Sequence, residues 1–172
     1  TTVKIEDKTF AAEGGGNMID LVKPKLDMTG SVLDGRYRIL APLGEGGMST
    51  VYKAEHVAMN AVRAVKVIHP KLMGNEQSLR RFQQEAASVA KLQHANIIAV
   101  HDCVVTADGR PYIAMDFIEG RSLADVLRDE EYLERERAIE IFIQLTDALE
   151  AAHNLGIIHR DLKPSNIMLT KN

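Results

Sequence analysis

Residues 157–169 read Ile157-Ile158-His159-Arg160-Asp161-Leu162-Lys163-Pro164-Ser165-Asn166-Ile167-Met168-Leu169. Polar and charged groups are concentrated between two apolar ends, and Pro164 removes a backbone donor, so no continuous helix runs through the segment. A loop pinned at both ends by hydrophobic anchors can turn Asp161, Lys163 and Asn166 towards one site.

The chain leading into this loop is helical. A long helical stretch runs from about Glu134 to Asn154, with Gly156 where a helix C-terminal glycine is expected, and a shorter piece spans Leu123 to Arg128. Further towards the N-terminus the pattern becomes strand-like. Ile97 to Val105 and Pro111 to Phe117 read as strands around the turn Ala107-Asp108-Gly109-Arg110, and Ala61 to Ile68 reads as another. Tyr37, Ile39 and Leu40 lead into a glycine-rich turn at 44–47, and Val51, Tyr52 and Ala54 resume beyond it as a hairpin. One helix interrupts this half: Leu79, Phe82, Ala86, Val89 and Ala90 recur at helical spacing over 78–92, with Ser78 at the N-cap position. Residues 1–35, with Gly14-Gly15-Gly16, Pro24 and Asp34-Gly35, read as an extension, flexible or docked, holding one short alternating strand at Val3 and Ile5. The expected class is α+β: a strand-rich half with one helix, then a helical half.

Composition narrows the functions. The chain has 172 residues, 45% hydrophobic and 26% charged, which suffices for a buried core. With 21 Lys+Arg against 24 Asp+Glu the net charge is −3, so a large sequence-independent nucleic-acid footprint is excluded. A single cysteine, Cys103, can neither staple the fold nor build a zinc quartet, and it points to a reducing, cytoplasmic setting. No apolar run approaches the ~18 residues of a membrane helix.

Three further features bear on chemistry. Leu43-Gly44-Glu45-Gly46-Gly47-Met48-Ser49-Thr50-Val51 places glycines between two strands, where backbone amides can approach an anion closely. Lys66 sits inside the apolar strand Arg63-Ala64-Val65-Lys66-Val67-Ile68, and Glu85 flanks the apolar stripe of the helix over 78–92. Taken singly, each has a plain reading: a glycine hairpin turn without a ligand, a lysine on the solvent face of a half-buried strand, a surface glutamate.

Together, in this order, the four features resemble a protein kinase, in particular the eukaryotic-like Ser/Thr kinases of bacteria. The resemblance runs from about Arg36 to Leu169 and is carried by HRDLKPSN at 159–166 and GEGGMS at 44–49. It implies a two-lobed fold: an extension at 1–35, a β-sheet N-lobe and hinge at 36–118, and the start of a helical C-lobe at 119–172. It also implies ATP and Mg2+ as cofactors and Ser/Thr hydroxyls of a protein as acceptors. Gly44, Gly46 and the backbone of Glu45, Gly47, Met48 and Ser49 would cover the phosphates, with Leu43 leading into that turn. Lys66 would hold the α- and β-phosphates and pair with Glu85. Asp161 would orient the acceptor hydroxyl, Lys163 would steady the γ-phosphoryl group, and Asn166 would ligate one Mg2+. Val51, Ala64 and Met168 would sandwich the adenine, Asp116, Phe117 and Ile118 would form the hinge, and Met115 would guard the pocket behind it.

Two departures accompany the resemblance. Ser49 replaces the third glycine of the phosphate-covering pattern, a mild change that keeps the backbone amide. Nothing after Asn166 matches the Asp-Phe-Gly motif or an activation loop, so the expectation is a chain truncated just after the catalytic loop and inactive alone. The alternative is a catalytically silent nucleotide-binding or regulatory module acting through protein association. The long helix is apolar around most of its circumference (Ile139, Ile141, Phe142, Ile143, Leu145, Ala148, Leu149, Ala152). Such a helix expects cover on several sides, so a homo-oligomer or swapped dimer through its exposed face is the expected partner state.

Overall fold

Side chains on a strand alternate between its two faces, so one strand can serve two environments. In β5 (Ala61–Ile68) Val65 and Val67 point to one side and Ala64, Lys66 and Ile68 to the other. That alternation organises the first half of the molecule. The computed structural model describes residues 2–5, 27–46, 49–69 and 92–170. The helix expected over 78–92, except for Leu92, lies outside the described residues together with Glu85, as do Gly47 and Met48.

Six strands form one antiparallel sheet in the order β2-β3-β4-β5-β7-β6. They are β2 (Val32–Leu33), β3 (Tyr37–Glu45), β4 (Ser49–His56), β5, β6 (Val100–Val105) and β7 (Pro111–Asp116). The hairpin expected around the glycine turn is β3–β4, running in register from Tyr37↔His56 to Glu45↔Thr50 with shifts around Ala41 and Pro42. Proline cannot donate to a ladder, which accounts for an irregularity at that point. One face of the sheet buries Tyr37, Ile39, Tyr52, Ala54, Val65, Val67, Tyr112 and Ala114. The opposite face carries Ala64, Ile68, Ile113 and Met115. The strand expected from Ile97 begins only at Val100, because residues 96–98 bond elsewhere, to β1 (Thr2–Ile5).

The second half holds β8 (Gly120–Ser122), α1 (Leu123–Glu130), α2 (Arg135–Asn154), a short 3-10 turn at Pro164–Asn166, and β9 (Ile167–Thr170). Ser122 caps α1, its hydroxyl accepting from the Asp125 amide at 3.0 Å. In α2, Ile141, Leu145, Ala148 and Ala152 are buried at spacings of four, three and four, the seam of a helix packed on one side. They share a core with Leu123, Val126, Ile157, Ile167 and Leu169. The remaining apolar residues of α2 stay in solvent: Ile139 is 49%, Phe142 61% and Ile143 62% exposed.

β1 joins this second core. It pairs antiparallel with β9 from Thr2↔Thr170 to Ile5↔Ile167, giving a three-stranded sheet in the order β1-β9-β8. Val3 is fully buried and Ile5 nearly so. The short alternating piece at Val3 and Ile5 is therefore docked.

Candidate active site

The two halves meet in an apolar cluster. Met168 explains how. In β9 the alternation sends Ile167 and Leu169 into the second-half core, and Met168 to the opposite side, against the cluster of Ala64, Ile68, Ile98, Ile113 and Met115. Val51, Val100, Cys103, Phe117 and Ile118 pack on the same cluster. Six residues singled out in the sequence (Val51, Ala64, Met115, Phe117, Ile118 and Met168) are thus brought together in one apolar patch. Burial of the Cys103 thiol at its margin pushes its pKa up to about 12.

Lys66 lies on this face. It follows Ala64 by two residues, pairs with Val51 and Ile113 across the sheet, and is 8% exposed. A lysine on the solvent face of a half-buried strand does not fit this burial. Glu85, its expected partner, lies outside the described residues.

The glycine turn closes the hairpin above this face. The Gly46 amide donates to the Ser49 carbonyl at 2.9 Å, and a Cβ added to Gly44 would meet nothing within 4 Å. The space beside Gly44 is open to a group approaching the backbone. Leu43 is 49% exposed at the lip of the turn, and Glu45 ends β3 in solvent. Ser49 begins β4, paired with Ile68.

Below, residues 157–166 fold as a tight loop anchored by buried Ile157 and Ile167. Arg160 adopts φ 59°, a left-handed conformation that costs a non-glycine residue on the order of 1–3 kcal/mol. The kink lets the Asp161 amide donate to the His159 carbonyl at 2.7 Å and turns the carboxylate outward. Asp161 is then gripped from two sides. Lys163 Nζ lies 3.0 Å from Oδ1, and Asn166 Nδ2 donates to Oδ2 at 3.2 Å and to the Asp161 carbonyl at 2.6 Å. Asn166 is 1% exposed, and in the short turn at Pro164 its backbone amide donates to the Lys163 carbonyl at 2.9 Å. Its Oδ1 accepts only a long 3.4 Å contact from the Ser165 hydroxyl. The structure therefore brings Asp161, Lys163 and Asn166 to one point. Among the described residues no cluster of three or more His, Cys, Asp or Glu side chains is positioned to hold a metal ion.

Two contacts of Asp116 and Phe117 were not legible in the sequence. His101 Nε2 lies 2.7 Å from Asp116 Oδ1, and Lys53 Nζ sits 4.6 Å from the Phe117 ring centroid, a cation–π contact. Period-two alternation from Val51 places Lys53 on the cleft face, but the ring it meets is set by the sheet order.

An antiparallel sheet packs one face on Met168, next to a kinked Asp-Lys-Asn loop, and comparison with known proteins identifies the family. The chain belongs to the protein kinase domain family, which matches residues 37–172. It is 44% identical over 144 residues to a probable serine/threonine-protein kinase of Clostridium perfringens, covering 84% of this chain and 21% of that protein. It is 38% identical over 143 residues to the serine/threonine-protein kinase pkn3 of Myxococcus xanthus, covering 83% and 26%. Among solved structures, the PknI kinase domain of Mycobacterium tuberculosis superposes with a TM-score of 0.75 at 31% identity, over 84% of this chain and 60% of that one. The fold is thus that of a protein kinase. The chain spans about a quarter or less of the length of these two curated relatives. No helix among the described residues is long and apolar enough to cross a membrane.

Proposed function

We propose that this chain supplies the nucleotide cleft and catalytic loop of a kinase that transfers the γ-phosphoryl group of ATP to Ser/Thr hydroxyls of proteins. The observation that carries the reading is the grip on Asp161 by Lys163 and Asn166, at the foot of an apolar patch that shares Met168 with the same strand. On this reading Val51, Ala64, Met115 and Met168 contact the adenine, and Asp116, Phe117 and Ile118 form the hinge. The backbone of 43–49 covers the phosphates, Lys66 with Glu85 orients them, and 118–119 divides the two lobes.

Phosphoryl transfer requires positioning and charge neutralisation more than covalent chemistry. The ATP–Mg2+ complex would supply an electrophilic γ-phosphoryl group with part of its charge already neutralised. The protein does the rest. Asp161, held in one orientation, accepts a hydrogen bond from the acceptor hydroxyl and aims its oxygen. Lys163, 3.0 Å from that carboxylate, holds it in place and adds positive charge beside the transferred group. Asn166 spends its NH2 on Asp161 and leaves Oδ1, a hard neutral oxygen, as the atom suited to Mg2+. The lone, half-buried cysteine fits a cytoplasmic setting, and the exposed face of α2 fits association with a second copy.

Titration with ATP and Mg2+ tests the reading. Saturable binding is expected for the chain. Lys66→Met should weaken it about tenfold to a hundredfold, the loss of one charge-assisted contact. Absence of saturable binding by the folded chain, or equal affinity in the variant, would overturn it.

A further inference from the structure

β7 ends at Asp116, the last position at which the sheet supplies a ladder partner, Arg63 of β5. Neither ladder of β7 extends to Phe117 or Ile118, so their backbone amides and carbonyls are not committed to it. Two side chains reach this exit from β4 and β6, the strands that flank the β5–β7 pair. His101 comes from β6. The register steps from Val100↔Met115 to Asp102↔Ala114, so His101 is the extra residue of a bulge. A bulge re-aims the side chain it carries, and here Nε2 lies 2.7 Å from Asp116 Oδ1. The backbone is tied at the same point, the Asp116 amide donating to the Ala99 carbonyl at 3.0 Å. Lys53 comes from β4. It lies opposite Ala64, which lies opposite Met115, so the three share one face of the sheet. Its Nζ sits 4.6 Å from the Phe117 ring centroid, and Phe117 packs on the cluster of Ala64 and Met115.

We propose that Lys53 and His101 are positioning residues that set base preference: they hold 116–118 in one backbone geometry, and that geometry selects adenine over guanine. The inference rests on the reading of 116–118 as the hinge of a nucleotide site. The two purines present opposite patterns on the edge concerned. Adenine offers a donor amino group beside an acceptor ring nitrogen, guanine an acceptor carbonyl beside a donor ring N–H. A backbone carbonyl and amide at fixed spacing match one pattern and are left unpaired by the other. A segment free to shift discriminates less, and the cost of ordering it falls on binding. Neither side chain needs to touch the nucleotide; each acts through the residue it holds.

Titrations with ATP and GTP, each with Mg2+, test the proposal, and the ratio of the two affinities is the readout. The unaltered chain should prefer ATP by at least about tenfold. Lys53→Met combined with His101→Ala should narrow that ratio about tenfold. A general loss of structure or of positive charge would instead lower both affinities alike. Lys53→Arg keeps a cation over the ring and should keep the ratio. Where the double variant does not fold, Lys53→Met alone decides, with the ratio expected to narrow about threefold. No preference in the unaltered chain, an unchanged ratio in the folded variants, or a collapsed ratio in Lys53→Arg overturns the proposal and leaves the nucleotide site standing. Absence of saturable binding of either nucleotide by the unaltered chain overturns both.

Discussion

Tyr37 and Tyr112 show how a single hydroxyl can fix a strand. Each phenol is buried in the first-half core, and each donates to a carboxylate: Tyr37 to Asp102 Oδ2 at 2.5 Å, Tyr112 to Asp34 Oδ2 at 3.2 Å. Burial first, and the neighbouring carboxylates second, push both phenols well above their ordinary value. The folded state therefore prefers the protonated phenol. The stability this gives is fully present below the unfolded value of about 10 and is lost as pH rises beyond it. Spectrophotometric titration should show these two tyrosines ionising together with alkaline unfolding. All four tyrosines titrating near pH 10 with unchanged circular dichroism would contradict this. Asn166 makes a second case. Asn166→Ala removes the donor to the Asp161 carbonyl and should cost about 1–3 kcal/mol in urea denaturation. Cys103, its thiol pushed up to about 12, should resist alkylation at pH 8 until the protein is denatured. At this scale the sequence is informative about Asp161, Lys163 and Asn166, because they lie within six residues. It is silent on the bonds from Tyr37 and Tyr112, whose carboxylate partners are 65 and 78 residues distant.

Among the elements, the strands and helices with strong periodicity were legible in advance. β5, the β3–β4 hairpin, α1 and α2 stand within a few residues of where alternation, glycine placement and helical spacing put them. β8 was not legible, because Gly120–Ser122 carries no apolar alternation. It exists through pairing with β9, and that pairing depends on Gly120. A Cβ at this position would lie 2.3 Å from the Leu169 carbonyl oxygen, a backbone atom fixed by the ladder. Gly120→Ala should therefore separate β8 from β9 and destabilise the second half by at least about 1–3 kcal/mol. Thermal melts should show a lower midpoint, and an unchanged one would mean the β8–β9 approach is looser than the structure has it. The docking of β1 was likewise beyond sequence reading. Val3 and Ile5 announce a strand, but the trough that receives them is assembled from β9, residues 96–98 and α2.

For the molecule as a whole, the two-part architecture follows from hydrophobic patterning, and the unburied part of α2 follows from the same patterning read to its end. A helix with one apolar seam needs one neighbour, whereas α2 has a second apolar face. Ile139, Phe142 and Ile143 lie at i, i+3 and i+4 and form a ridge away from the buried seam of Ile141, Leu145 and Ala148. Leu155 and Ile158, 57% and 59% exposed, add apolar surface beyond the end of the helix. Contiguous apolar surface beyond a few hundred Å² marks an interaction site on a soluble protein. With a net charge of only −3, long-range repulsion does little to keep two copies apart. Pairing α2 with α2 of a second copy would let the same ridge cover itself about a two-fold axis. Sedimentation equilibrium should accordingly show a mass that rises with concentration. Phe142→Glu combined with Ile143→Lys should return it to the monomer value with unchanged circular dichroism and unchanged ATP affinity, since neither residue touches the cleft. A strictly monomeric species at high micromolar concentration would leave the ridge as exposed surface and sink the self-association reading.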